Sequence, residues 1–237
     1  MLNDNNPLGP GLVIGIPFCG RPVMPEWALA MISMNYPLNT SIQYVTQRGT
    51  ETGIARNNVV KQALEVGAKY VWFIDDDVAP PYYALRKLMY ELDQRSSPVG
   101  DAGVIGGIYC AKCDPPTPLV YDKLGSGTFW NWKVGDVFEV GAVGTGCMLI
   151  RTDVFRDIKE PWFRTVDDCP DPLPDSVETR LQMSDDLYFC KKIIEAGYKI
   201  FAHGGVLCIH WDVPTQKGYI LPEGCYPLKK EEESKRG

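Results

Sequence analysis

Three consecutive carboxylates, Asp75, Asp76 and Asp77, directly follow the apolar run Tyr70–Ile74. Like charges this close repel, and a hard divalent cation with oxygen ligands relieves that repulsion. The alternative is a solvated turn in which one Asp helps cap a helix opened by Pro80. The position at the end of an apolar strand favours the cation, because ligands of open α/β sheets bind beyond the strands' carboxyl ends. A second acidic pair, Asp185–Asp186, follows Ser184 at a predicted helix start. Carboxylates there complement the helix dipole. The dipole also keeps them ionised, as a general base for a hydroxyl group requires. His210 ends the stretch VLCIH. Its neutral imidazole suits either a third metal ligand or a purely structural contact. Arg56 falls in the first turn of another predicted helix. Free backbone N–H groups and a guanidinium suit a diphosphate there, and a plain surface Arg is the alternative.

The elements that position these residues are legible as alternating runs. Leu12–Ile16, Ile42–Thr46, Tyr70–Ile74 and Val104–Tyr109 read as strands. Helices are predicted over Pro25–Met34, over Gly53–Val66 with Thr52 as cap and Gly67 as stop, and from Pro80 or Pro81 to about Arg95. Strict alternation implies an α/β fold with a mostly parallel sheet and helices on both faces. Beyond Cys110 the texture changes to Pro, Gly and aromatic residues. Short strands are predicted at Gly146–Arg151 and Val206–His210, and one helix over Asp185–Ala196, capped by Ser184 and ended by Gly197. Phe129, Trp130, Trp132, Trp162 and Phe163 stack on a sugar or base, or fill the core of a small lobe.

Composition narrows the functional class. The 237 residues are 45% hydrophobic and 23% charged, which describes an ordinary globular chain and excludes a disordered or fibrous one. A net charge of −6 argues against a general phosphate-backbone binder. Apolar runs are far shorter than a bilayer crossing, and MLNDNNPLGPG lacks the pattern of a signal peptide. The eight cysteines are scattered, so a reduced, cytoplasmic setting is expected. Cys110 and Cys113 form a single CxxC without the second pair of a structural zinc site. Gly15 and Gly20 have Walker-loop spacing, but Arg21 and Pro22 replace the Lys and Ser/Thr that would grip phosphate and magnesium. No GxGxxG follows the first strand, which argues against a nicotinamide site.

In order along the chain, five segments resemble the GT-A glycosyltransferases of the family 2 type, in the compact form often found in phages. GIPFCGRP resembles the first-strand loop that contacts the nucleotide, which puts Pro17 and Arg21 at the donor. ETGIARNNVVKQALEVGAKYVWFIDDDV resembles the block ending in the Asp-x-Asp motif. VGTGCMLIR with PWF, SDDLYFCKKIIEAGYKI and VLCIH resemble the acceptor-side strand and turn, the helix bearing the base, and the strand ending in a metal-binding His. The resemblance runs from Leu12 to about Trp211. It implies one GT-A domain over residues 1–228, with a nucleotide-binding half (11–110), an acceptor half (111–228) and a charged tail (229–237).

By this resemblance Asp75 contacts the ribose and Asp76 lies with it at the donor. Asp77 and His210 bind Mn²⁺ or Mg²⁺, and Arg56 faces the diphosphate. Asp186 is the base, and Asp185 holds the acceptor or the sugar. The implied activity is hexosyl transfer from a nucleotide-diphospho-sugar, with UDP as the expected nucleotide, to an acceptor hydroxyl with inversion. The place of the uracil-reading acidic residue holds Gln47 and Arg48, and Leu187 follows the acidic pair where many relatives are more polar. The acceptor is a glycan or a hydroxymethylated base in phage DNA, so nucleic acid enters only as a substrate, and no membrane partner is expected. His203 stands where the family pattern does not demand His. A sugar-nucleotide nucleotidyltransferase would want a Gly-rich basic loop in place of IPFCGRP. A non-catalytic sugar-binding protein is the remaining alternative. Thr165–Met183, rich in Pro and acidic residues, is expected to form an irregular cover over the base.

Overall fold

A computed structural model of the chain describes residues 11–96, 101–168 and 181–221. Its first half runs β1 (Leu12–Phe18), α1 (Pro25–Ile32), β2 (Ile42–Arg48), α2 (Thr52–Glu65) and β3 (Tyr70–Ile74). Then come β4 (Val78–Ala79), α3 (Ala84–Ser96) and β5 (Ala102–Ile108). The second half opens with the short strands β6 (Val120–Tyr121), β7 (Val137–Val140), β8 (Ala142–Val143) and β9 (Cys147–Arg151). After α4 (Val154–Asp157) come β10 (Val166–Asp168), β11 (Leu181–Met183) and α5 (Asp185–Glu195). The described chain closes with β12 (Lys199–Leu207), β13 (Ile209–Asp212) and β14 (Lys217–Tyr219).

Seven strands form the main sheet in the order β2-β1-β3-β9-β5-β12-β7. β1, β2, β3, β5 and β12 share one direction, whereas β9 and β7 run against their neighbours. The mostly parallel sheet matches the alternation in the sequence. Residues from both halves build it, because β9 inserts between β3 and β5. β3 is buried along its whole length, which explains its unbroken apolar run. Val71 and Phe73 face the core shared with Val59 and Ala63 of α2 and Phe189 and Ile193 of α5. Tyr70, Trp72 and Ile74 point the other way, toward Trp27 of α1 and Leu85, Leu88 and Leu92 of α3.

Several sequence expectations are corrected locally. Thr52 does not cap α2; the Glu51 carboxylate accepts from Ile54 N–H instead, at 2.9 Å. Ser184 occupies the cap position of α5, but its hydroxyl donates to Asp186 rather than capping an N–H. Gly67 and Gly197 end their helices as predicted, with φ of 67° and 86°. The third helix starts at Ala84 and not at the prolines. Val78–Ala79 is drawn into a small sheet with β13, and the chain turns through Pro80 and Pro81 before the helix can begin. Trp132, Trp162 and Phe163 are core residues, with Phe163 stacked on Phe189 at 4.4 Å. The expected cover is ordered at its ends, where Val166–Asp168 pairs antiparallel with Leu181–Met183. Residues 169–180 of it lie outside the described residues. No helix among the described residues is long and apolar enough to cross a membrane.

Candidate active site

The chain turns immediately after β3, and the turn is fastened on both sides. Trp27 Nε1–H and Val78 N–H donate to the Asp75 carbonyl at 2.8 and 3.1 Å. Asp75 N–H donates to the Gly146 carbonyl, ahead of β9, at 3.1 Å. From this fixed turn the three carboxylates diverge toward different parts of the sheet edge.

Asp75 meets Arg56, whose Nη2 lies 2.8 and 3.0 Å from its two oxygens. The same guanidinium donates through Nη1 to Asp185 at the start of α5. Arg56 is only 3% exposed, so it is neither a surface Arg nor open to solvent. Burial alone would lower its pKa, but Asp75 and Asp185 outweigh that and hold it above the ordinary value. Burial pushes the carboxyls of Asp75 and Asp185 up, and Arg56 works against that rise. Arg56 thus bridges two of the predicted site carboxylates, Asp185 lying 129 residues from it in sequence.

This bridge carries a stability prediction. Arg56→Met keeps the side-chain length but leaves two buried carboxylates without their shared cation. We expect a loss of about 3–5 kcal/mol, read by urea unfolding at pH 7. The raised Asp185 pKa means the folded state takes up this proton more readily than the unfolded chain. Removal of Arg56 enlarges that rise, so the deficit should narrow as pH falls from 7 to 5. A deficit that is constant with pH would contradict the account.

Asp76 points inward and is 1% exposed. It accepts from Cys19 N–H at 2.9 Å, and Arg21 Nη2 lies 3.4 Å from its other oxygen. It therefore ties the loop after β1 to the end of β3. Pro17, one turn earlier, is buried at the end of β1 opposite Gln47.

Asp77 lies among cations. Arg21 Nη2 and Lys112 Nζ both donate to Oδ2, the latter at 2.6 Å. His210 Nε2 stands 3.5 Å from Oδ1. Burial would raise this carboxyl, but the contacts with His210 and Lys112 outweigh it and hold Asp77 well below the usual carboxylate range. The β4–β13 ladder sets His210 opposite Val78, and Trp211 N–H donates to the Asp77 carbonyl at 2.7 Å. His210 Nδ1 lies 2.7 Å from the Cys110 carbonyl. A carbonyl can only accept, so Nδ1 carries a proton and Nε2 is the nitrogen turned toward Asp77. That backbone contact on the far nitrogen is how metal-binding histidines are usually oriented.

The pair fits a divalent cation. Two ligands at about 2.1 Å from one ion lie roughly 3.0–3.4 Å apart, close to the observed separation. No group of three or more His, Cys, Asp or Glu side chains that could hold a metal occurs among the described residues, so the candidate here is this pair. His203 is a different case. Its Nδ1 accepts from Gly205 N–H at 3.0 Å inside the sheet, and it belongs to the core.

At α5, Asp186 accepts from Ser184 Oγ–H and from Leu187 N–H, the latter at 2.9 Å, both through Oδ1. Its Oδ2 makes no hydrogen bond among the described residues. Asp185 is buried and Asp186 is half-buried, so the neighbours differ in access. Sequence reasoning missed Lys112, Tyr109 and Trp27. Tyr109 packs edge-on to His210 at 5.2 Å and accepts from Gly146 N–H at 3.0 Å. Lys112 follows β5 by four residues, so attention to the carboxyl end of that strand would have found it.

No family model and no curated protein matches the sequence. The structure aligns with that of A197 from STIV at a TM-score of 0.60 and 19% identity, covering 94% of this chain and 99% of A197. The chain has the GT-A fold. TarS 1-349 from S. aureus, in complex with UDP-GlcNAc, aligns at a TM-score of 0.47 and 12% identity, over 82% of this chain and 56% of that one. Its complex with UDP gives 0.46 and 12%, over 82% and 58%. This chain therefore spans little more than half of those two structures. In this GT-A chain the ends of β1, β3 and β5 supply Arg21, the Asp triplet and Lys112, while α5 brings up the second acidic pair.

Proposed function

We propose that the chain is a metal-dependent glycosyltransferase that moves a hexose from a UDP-sugar to an acceptor hydroxyl. One observation carries the reading: Asp77 and an oriented His210 face each other at the end of β3, and Arg56 ties the same Asp triplet to the acidic start of α5. Asp77 and His210 would hold the cation, with phosphates and water filling the rest of its shell. A bound Mn²⁺ or Mg²⁺ supplies charge stabilisation for a departing diphosphate. Arg21 stands at the donor side of the loop after β1. Asp75, held by Arg56, would meet the donor's ribose.

Asp186 is the base. It takes the proton of the acceptor hydroxyl while that oxygen attacks the anomeric carbon opposite the leaving diphosphate, which inverts the configuration. It sits at the positive end of the α5 dipole, and Ser184 and Leu187 fix its orientation through one oxygen. Asp185 is turned away to Arg56 and acts as a positioning residue. The acceptor is a glycan or a hydroxymethylated base in DNA. A donor screen by nucleotide release tests the reading. With Mn²⁺ present, UDP release from one UDP-hexose should exceed release from GDP- and ADP-sugars, and mass spectrometry should find a hexose added to an acceptor. Nucleotide release from no sugar nucleotide in the screen would overturn it.

A further inference from the structure

Asp77, the carboxylate assigned to the cation, is already paired. Arg21 and Lys112 both donate to its Oδ2, while only Oδ1 faces His210. Together with Asp76, two cations stand against two carboxylates, so the pocket is close to charge-balanced without any metal. A divalent cation entering alone would meet two positive groups within reach of its own ligand. Coulomb repulsion at such distances, partly screened because Lys112 is about a quarter exposed, weakens cation binding. A diphosphate reverses the balance, because its negative charge takes up both the metal and the protein's cations.

We propose that Lys112 is a donor-binding residue that transfers from Asp77 to the diphosphate when the nucleotide arrives, making metal and nucleotide binding mutually dependent. The geometry of its turn supports this. The backbone that follows β5 presents the Cys110 carbonyl to His210 and, two residues on, Lys112 to Asp77. Ala111 N–H donates to the Thr117 carbonyl at 2.8 Å, and Cys110 bridges to Pro118, so the turn is held in place. Lys112 therefore needs only side-chain rotation to leave Asp77. Arg21, which contacts Asp76 as well as Asp77, keeps a buried Nε without a hydrogen-bond partner among the described residues, so it has a donor left to offer a diphosphate. Linkage then requires that nucleotide raises metal affinity by the same factor that metal raises nucleotide affinity.

The inference rests on the glycosyltransferase reading, and the test separates the two. Calorimetry measures Mn²⁺ alone, UDP alone and UDP with Mn²⁺, on the wild type, Lys112→Met and Lys112→Arg. In the wild type, UDP should tighten Mn²⁺ binding at least about tenfold. Lys112→Met should move the two affinities in opposite directions, with Mn²⁺ alone binding about tenfold tighter and UDP with Mn²⁺ about tenfold weaker. Lys112→Arg should stay close to the wild type in both. Circular dichroism and the thermal midpoint check that each variant is folded. Loss of both affinities in folded Lys112→Met, or no change in either, overturns the role of Lys112. Equal Mn²⁺ affinity with and without UDP in the wild type overturns the mutual dependence. If the wild type binds no UDP under any condition, the glycosyltransferase reading itself fails.

Discussion

Asp77→Asn should lower sugar transfer about 10³-fold, the scale expected when a metal's stabilisation of a leaving group is lost. The substitution preserves side-chain volume, and Asp77 is not part of either hydrophobic core, so the fold should survive. What disappears is the charge that holds the cation and the counterion of Arg21 and Lys112. Excess EDTA should abolish wild-type transfer, and Mn²⁺ should restore it. Asp77→Asn should not recover at the Mn²⁺ concentration that restores the wild type. His210→Ala should act in the same direction with a smaller loss, because it removes the other protein ligand but leaves the charge. Full wild-type transfer in excess EDTA would remove the metal from the mechanism.

The central part of the fold could be read from residues because each element there has one dominant physical signature. β3 is buried on both faces, so its sequence YVWFI carries no polar interruption, and the Asp triplet marks its end sharply. α2 and α5 stop where Gly67 and Gly197 adopt positive φ. The other parts depend on pairing that local sequence does not encode. The run Val206–His210, which reads as one strand, is split at Cys208 between the end of β12 and the start of β13, and Gly204 and Gly205 interrupt the apolar pattern of the nine-residue β12. β4 has two residues and exists through its ladder with β13. Without that ladder the segment reads as the approach to a proline-opened helix.

The site divides in the same way. The resemblance assigns Asp77 and His210 jointly to a metal, and β4 and β13 bring them within 3.5 Å. Arg56 was expected to face a diphosphate, yet it lies between Asp75 and Asp185. A helix-start Arg looks the same in sequence whether it faces solvent or two buried acids. Lys112 lies in a turn rich in Cys and Pro, with no periodicity to single it out. Its meaning comes from an ion pair 35 residues away in sequence.

Asp186→Asn and Asp185→Asn should separate two adjacent carboxylates whose ranking in the sequence rests on the family resemblance alone. Asp185 is buried and accepts from Arg56 Nη1–H, so both its access and its basicity are committed. Asp186 is held through Oδ1 alone, leaving Oδ2 to meet an acceptor hydroxyl. Asp186→Asn keeps the Ser184 and Leu187 contacts within reach of its amide oxygen but removes the basic site. Transfer should fall about 10²–10⁴-fold, the usual contribution of a general base, while UDP binding with Mn²⁺ stays within about twofold. Asp185→Asn should instead lower stability, because Arg56 loses one of its two charged partners. Its transfer rate should fall less than that of Asp186→Asn, measured well below the unfolding temperature. Normal transfer by Asp186→Asn together with a large loss in folded Asp185→Asn would exchange the two roles and leave Arg56 bound to the base itself.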